Sequence, residues 1–298
     1  MAKKEPGSLS SLPTPYRRGT SRKVEALPAT RSRRPYITHN GPLFFAHRGG
    51  SSLAPENTIA AFERGLSLGA DALELDIQTT REGKIVVIHD PTVDRTTNGV
   101  GPVGAYTLEE LRRLDAGYRF SPDGGQTYPY RGQEIALPTL REVLEYFPTT
   151  HINIDLKESS PEREQRLWEL IQEYQAEDRI LVASGDLHLP IVRFRQLAAG
   201  RVATSASAME IRTFVLATTA RATRLLRPAY DALQVPEIYR GIRIVSQAFV
   251  NAAHRLNLDV HVWTVDARND MNRLLATGVD GLMTDRPDIL AEVLGRAR

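Results

Sequence analysis

Residues 44–91 read FFAHRGGSSLAPENTIAAFERGLSLGADALELDIQTTREGKIVVIHDP. The stretch begins inside an apolar run, LFFAH at 43–47, that stops at a His-Arg-Gly-Gly turn. A helix-period segment follows from Glu56 to Leu68, with Pro55 at its start, Ile59, Phe62 and Leu66 on one face, and Gly69 just beyond its end. A second apolar run, ALELDIQ at 72–78, completes a strand–helix–strand unit, and a crossover of that length sets two strands parallel in one sheet. The next link is too short for another crossover, because only Thr79 to Lys84 separate Gln78 from Ile85. IVVIH at 85–89 therefore returns antiparallel to the second strand through a turn at Glu82-Gly83-Lys84. That hairpin sets His89 opposite the Glu74/Asp76 end of the strand.

Outward from this stretch the same rhythm repeats. Apolar, β-branched runs at 152–157, 180–184, 201–205, 232–235, 260–265 and 281–284 alternate with helix-period segments at 162–175, 188–198, 208–226, 247–256, 268–277 and 287–296. Eight parallel strands with covering helices is the count of an α/β (β/α)8 TIM barrel. Between Asp90 and Phe147 the periodicity weakens and turn residues accumulate, with one capped helix beginning at Thr107. An insertion of this length, at about 90–147, reads as a lid rather than a plain connector.

Composition narrows the class. At 298 residues and 41% hydrophobic content the chain can bury one large core, and the absence of cysteine excludes disulfides, thiolate metal sites and a cysteine nucleophile. Residues 1–40 carry nine Lys and Arg against two Glu and are poorer in apolar side chains than the rest of the chain. Such a segment cannot offset its ordering entropy and reads as a disordered basic tail, leaving 41–298 as a single barrel domain. A solvated extension is the simplest role for it; contact with an anionic surface or nucleic acid, and a transit peptide, are the weaker alternatives, so that no nucleic-acid partner is expected for the protein. Arg17-Arg18 is followed by no apolar run, and no stretch approaches the ~20 apolar residues that a spanning helix needs. The expectation is a soluble, cytoplasmic protein.

The chemistry lies at the strand ends. Residues two apart on a strand share a face, so Glu74 and Asp76 project together, as do Asp155 and Lys157. Three carboxylates, Glu74, Asp76 and Asp155, at neighbouring strand ends and without a thiolate make a hard oxygen site suited to Mg²⁺ or Ca²⁺. Arg48 offers a planar fork for phosphate oxygens and Lys157 a point charge nearby. His47 and His89, whose ordinary pKa lies near ~6.5, can act as general acid and base near neutral pH. Trp263 shares a strand face with His261 and Val265, which aims it at the barrel mouth as a wall for substrate, while His261 one layer deeper reads as a core polar group. Gln234 and Ser184 are candidates for supporting positions. Asn57 reads either as a helix cap or as a residue that orients His47 or Glu74.

With these residues in place, the chain resembles the glycerophosphodiester phosphodiesterase family. The segments that carry the resemblance are FAHRGG, APENTIAAFERGLSLGAD, ELDIQTTREGKIVVIHDPTVDRTTNG, LDAG, LPTLREVL, NIDLKE, VHVWTV and GVDGLMTDRPDIL, spread over residues 44–290. The resemblance implies a TIM barrel that hydrolyses small-molecule glycerophosphodiesters to glycerol 3-phosphate and an alcohol with a divalent cation. It implies His47 and His89 as the acid/base pair, Arg48 and Lys157 on phosphate, and Glu74 and Asp76 on metal. In many members a Glu stands two residues before that lysine; here it is Asp155. Two other readings fit parts of the pattern. One is a phospholipase D-like hydrolysis of lysophospholipids, which needs an apolar channel beside the site; the other is a non-catalytic phosphodiester-binding barrel, which needs no acid/base pair.

Overall fold

The computed structural model describes residues 34–185 and 187–296. In chain order the first half runs β1 (Leu43–Ala46), α1 (Ile59–Ser67), β2 (Ala72–Thr79), β3 (Ile85–Val87), α2 (Leu108–Leu111), α3 (Leu140–Tyr146), β4 (His151–Leu156), α4 (Pro161–Glu173), β5 (Ile180–Ala183) and α5 (His188–Ala198). The second half runs β6 (Ala203–Thr204), α6 (Ala208–Thr219), β7 (Ala232–Pro236), β8 (Ile238–Tyr239), β9 (Ile242–Arg243), α7 (Gln247–His254), β10 (Asp259–Trp263), α8 (Arg268–Ala276), β11 (Gly281–Thr284) and α9 (Pro287–Val293).

Eight of these strands form one parallel sheet in the order β6-β5-β4-β2-β1-β11-β10-β7. A parallel bridge between Ser205 and Ala232 joins the two ends, so the sheet closes into the expected barrel. Because every strand is covered by helices outside and filled by side chains inside, the strands are apolar on both faces. Leu43, Phe45, Ala72, Leu181, Ala183, Ala203, Ala232 and Met283 fill the interior, and two larger apolar clusters pack the sheet against its helices.

The hairpin forms as the short link requires. β3 pairs antiparallel with β2, Ile77 opposite Val87 and Thr79 opposite Ile85, and the turn closes where Gly83, at φ 76°, donates its N–H to Thr80 O. Ile88 N–H donates to Asp76 O, which brings His89 alongside the upper end of β2.

Two boundaries near the site differ from expectation. The first helix begins at Ile59, not Glu56, because Asn57 is left-handed at φ 58° and Thr58 supplies the cap, its hydroxyl accepting from Ala61 N–H. The weakly periodic segment ends at Pro138, not Phe147: Thr139 and Glu142 form a reciprocal capping box, so Leu140–Tyr146 is a barrel crossover helix. The rest of the insertion is anchored to the hairpin. Val93, Val103, Leu111, Ala116 and Leu137 bury against Val86 and Ile88, which makes it a fixed flank of the mouth.

The basic tail, expected over 1–40, lies outside the described residues as far as 33. From Arg34 onward the chain belongs to the barrel: Pro35–Ile37 forms a 3₁₀ turn, and Tyr36 and Ile37 are each 1% exposed against the interior cluster. This apolar pair closes the end of the barrel opposite the hairpin, a burial that the surrounding charges conceal in a composition count.

Candidate active site

β1 and β11 are neighbours, with Ala46 level with Thr284, so the next residues, His47 and Asp285, leave adjacent strand ends side by side. His47 Nδ1 donates to Asp285 Oδ1 at 2.6 Å, and its Nε2 lies 3.8 Å from Glu74 Oε2. Burial pulls the His47 pKa down, but the charge on Glu74 and the Asp285 hydrogen bond outweigh it and hold the pKa above its ordinary value. His47 is thus built to carry a proton on demand, with Nδ1 engaged behind it.

The turn after His47 is tight by construction. Arg48 is left-handed at φ 50°, and its backbone N–H donates to Glu74 Oε2 at 3.0 Å. At Gly49 a Cβ would stand 2.7 Å from Ala61, and at Gly50 2.6 Å from Pro287 Cγ, so both positions exclude a side chain. The Arg48 guanidinium reaches inward, with Nη1 2.9 Å from Glu56 Oε1 and Nε 3.2 Å from Asp76 Oδ2.

Asp76 is the hub. It is 1% exposed, and Asn57 grips it from both ends: Asn57 Nδ2 donates to Asp76 Oδ2 at 2.9 Å, and Asp76 N–H donates to Asn57 Oδ1 at 3.3 Å. Asn57 therefore orients Asp76, not His47 or Glu74, and the capping role belongs to Thr58. In the β2–β4 register Asp76 sits opposite Asp155, and Lys157 closes the gap between them, Nζ lying 2.9 Å from Asp76 Oδ1 and 2.6 Å from Asp155 Oδ2. Burial opposes the Lys157 charge, yet Asp155 and Asp76 together raise its pKa.

Two of the expected trio of carboxylate ligands, Asp76 and Asp155, are thereby paired to side-chain cations, while Glu74 accepts from the Arg48 backbone N–H and lies 3.8 Å from His47 Nε2. Among the described residues no three His, Asp or Glu side chains converge in a ready ligand set. The physical reason is proximity: Arg48 and Lys157 are the nearest positive charges to the buried pair, and they draw Asp76 below its ordinary pKa against its own burial. They do not suffice for Glu74, whose pKa burial and the neighbouring Asp76 charge raise to about 7. An oxygen-only donor set with one carboxyl still short of positive charge fits a hard divalent cation.

His89 follows β3, where Gln78 Nε2 donates to its carbonyl at 3.0 Å and its Nδ1 donates to Asp90 Oδ1 at 2.7 Å. Asp90 is held in turn by Arg95, Nε to Oδ2 at 2.6 Å. His47 and His89 thus share one design, in which Nδ1 is bonded to an aspartate and Nε2 is left for chemistry.

The glycerophosphoryl diester phosphodiesterase family matches this chain over residues 47–289. The chain belongs to this family. The family's glycerophosphodiester phosphodiesterase from Caldanaerobacter subterraneus subsp. tengcongensis is 36% identical over 258 residues, covering 85% of this chain and 97% of that protein. The Bacillus altitudinis glycerophosphodiester phosphodiesterase is 35% identical over 250 residues, 82% of this chain and 94% of that one. Among solved structures, the glycerophosphodiester phosphodiesterase from Agrobacterium tumefaciens superposes with a TM-score of 0.67 at 26% identity, covering 84% of this chain and 99% of the other. An Oleispira antarctica phosphodiesterase in complex with the product sn-glycerol-3-phosphate shares the fold, with a TM-score of 0.68 at 24% identity and coverage of 86% and 97%.

In this chain the remaining expected positions separate by depth. Trp263 ends β10 at the mouth and is 40% exposed. His261 lies one layer below, fully buried, its ring centroid 4.9 Å from that of Phe45 and its Nδ1 3.3 Å from Gln234 Nε2. Gln234 also donates to Asn153 Oδ1 at 2.8 Å, so it fills the interior below the site. Ser184 is buried and donates to Leu156 O, a bond between neighbouring strand ends. Four site residues went unread in the sequence: Asp285, Asp90, Glu56 and Arg95. The first had a signal, since in a closed barrel the last strand must neighbour the first. Among the described residues no helix is long and apolar enough to cross a membrane.

Proposed function

We propose that this enzyme hydrolyses a small glycerophosphodiester to glycerol 3-phosphate and an alcohol, with His47 and His89 as the proton carriers. The observation that supports this most strongly is the matched pair of Nδ1–aspartate contacts, His47 to Asp285 and His89 to Asp90, flanking buried carboxylates and two cationic side chains. Each contact engages Nδ1 and leaves Nε2 as the nitrogen to take or deliver a proton at phosphorus, that of His47 lying 3.8 Å from Glu74 Oε2. The product seen on the Oleispira antarctica protein is consistent with the same chemistry here.

Glu74, Asp76 and Asp155 are the residues to hold Mg²⁺ or Ca²⁺. A bound divalent cation would neutralise charge on a phosphate oxygen. Arg48 and Lys157 then turn their donors from the carboxylates to the remaining phosphate oxygens, Arg48 as a two-pronged fork and Lys157 as a point charge. One histidine takes the proton of the attacking hydroxyl and the other protonates the departing alkoxide; water attacking directly gives glycerol 3-phosphate in one step, whereas the glycerol 2-hydroxyl gives a cyclic phosphate that water then opens with the two histidines in exchanged roles. Trp263, exposed at the end of β10, is a wall for the substrate's apolar or glycerol part.

The test is release of glycerol 3-phosphate from glycerophosphocholine. His47→Ala and His89→Ala should each lose at least ~10²-fold in kcat, and a chelator should abolish turnover that Mg²⁺ or Ca²⁺ restores. Near-normal turnover in either variant removes the acid/base assignment.

A second reading, an amphiphilic diester such as a lysophospholipid, is favoured by one feature. Beyond Pro236, which pairs with Trp263, the β8–β9 hairpin exposes Ile238, Tyr239 and Ile242 at the same rim. Comparing choline release from lysophosphatidylcholine and glycerophosphocholine separates the two.

A further inference from the structure

One side chain of the insertion reaches the site without having been given a role. The guanidinium of Arg95 spans two carboxylates: Nη1 and Nη2 donate to Glu56 Oε2 at 2.6 Å and Oε1 at 2.8 Å, while Nε and Nη2 donate to Asp90 Oδ2 at 2.6 Å and Oδ1 at 3.2 Å. Each carboxylate has a second partner on the far side. Glu56 Oε1 accepts from Arg48 Nη1 at 2.9 Å, and Asp90 Oδ1 accepts from His89 Nδ1 at 2.7 Å. The result is a continuous chain, Arg48–Glu56–Arg95–Asp90–His89, with a phosphate-binding fork at one end and an acid/base imidazole at the other. It joins the turn after β1 to the end of the hairpin through a residue that belongs to neither.

We infer that Arg95 is a positioning residue that fixes His89 relative to Arg48, so that the insertion completes the catalytic geometry. This rests on the reading of His89 as a proton carrier. An ordinary surface ion pair does not account for the arrangement. Arg95 is 47% exposed, and exposed pairs contribute at most about 1 kcal/mol to stability, whereas a fork that is bidentate on two carboxylates fixes direction as well as charge. The anchor is firm as well. Val93 is fully buried in the insertion's own core, Thr97 Oγ1 donates to Val93 O at 2.8 Å, and Gly101 N–H donates to Asp94 Oδ2 at 2.8 Å, so the loop that carries Arg95 is braced on both sides. With Arg95 in place, Asp90 stays ionised and presents Oδ1 to His89 Nδ1, which keeps the neutral imidazole in its Nδ1–H form and its Nε2 lone pair toward the substrate. Without it Asp90 is free to turn to solvent, and the ring loses both its orientation and its tautomer.

The test uses the full-length, metal-loaded enzyme with glycerophosphocholine. Arg95→Gln should lower kcat tenfold or more with KM changed less than threefold, and its thermal midpoint should stay within about 3 °C of the parent. Arg95→Lys, which keeps the charge and loses the fork, should recover only part of the loss. In ¹⁵N-histidine spectra the neutral His89 ring should pass from the Nδ1–H form in the parent to a mixture in Arg95→Gln, a change that a merely structural residue would not produce. In an Asp90→Asn background the same substitution should cost less than a further threefold. A kcat within threefold of the parent, an unchanged His89 tautomer, or fully additive losses with Asp90→Asn would each overturn the inference. If Arg95→Gln does not fold, Arg95→Lys carries the same kcat and tautomer criteria. Normal turnover in His89→Ala would instead remove the underlying acid/base reading, so the two failures are distinguishable.

Discussion

Asp285 Oδ1 accepts a 2.6 Å hydrogen bond from His47 Nδ1 across 238 residues of sequence, because barrel closure lays β11 against β1. The contact engages Nδ1 and leaves Nε2 as the other ring nitrogen, and the charge of Asp285 helps to raise the His47 pKa.

Asp285→Asn should therefore act on catalysis more than on folding. The amide keeps the shape but removes the charge, so the His47 pKa drops from its raised value and the limb of the pH–rate profile that His47 controls moves to lower pH. A 10- to 100-fold loss of kcat is expected, of the order seen when the partner of an oriented imidazole is removed. The pH dependence of kcat for parent and variant decides it; coincident limbs would refute the role.

Glu74 gives a stability prediction whose sign follows from its pKa of about 7 against 4.5 for the free side chain. A carboxyl raised by folding stabilises the native state fully below pH 4.5, and that contribution is lost as the pH rises through 7. The metal-free protein should thus weaken from pH 5 to pH 8, and the gain in thermal midpoint on adding Mg²⁺ or Ca²⁺ should widen over the same range. Glu74→Gln cannot ionise. At pH 8 without cation it should unfold no lower than the parent, and it should lose most of the cation-induced shift, which scanning fluorimetry across pH reads directly.

Lys157 bridges Asp76 and Asp155, so its positive charge competes with any cation for the same oxygens. Lys157→Met should tighten Mg²⁺ or Ca²⁺ binding by a few-fold, measured by calorimetry, while lowering turnover by roughly 10²-fold because a phosphate contact is gone. Weaker cation binding in the variant would mean that Lys157 supports the carboxylate cluster instead of competing within it.

The barrel was legible because its signals are local and periodic: eight apolar runs spaced by helix-length segments, and one link too short to cross over. His47, Arg48, Glu74, Asp76, His89, Asp155 and Lys157 could be picked out as candidates because each falls on such a run or just beyond it. Asp285 and Arg95 were obscured for a different reason, since their partners are set by closure and by the path of an aperiodic loop. Asp285 could have been deduced by placing the eighth strand beside the first. Arg95 could not, because nothing in DPTVDRTTNG states that its loop folds back over Glu56. The crossover helix at Leu140 did carry a signal, the Thr139 to Glu142 spacing of a capping box.

Asn57 offers a test in which backbone and side-chain contributions separate. It is buried, left-handed at φ 58°, and its amide donates to the hub carboxylate Asp76 at 2.9 Å. Asn57→Ala loses a hydrogen bond to a charged group, worth about 1.5–3 kcal/mol, and puts an alanine in a conformation that costs it about 1 kcal/mol. Asn57→Gly loses the same hydrogen bond without the conformational cost. Chemical denaturation should therefore rank parent, Gly and Ala in falling order, with the last two about 1 kcal/mol apart. Turnover should not follow that order. If Asn57 matters to catalysis by holding Asp76, both variants lose the grip alike, and their kcat values should fall together by about tenfold despite unequal stabilities. A glycine variant with parental kcat would confine Asn57 to shaping the turn.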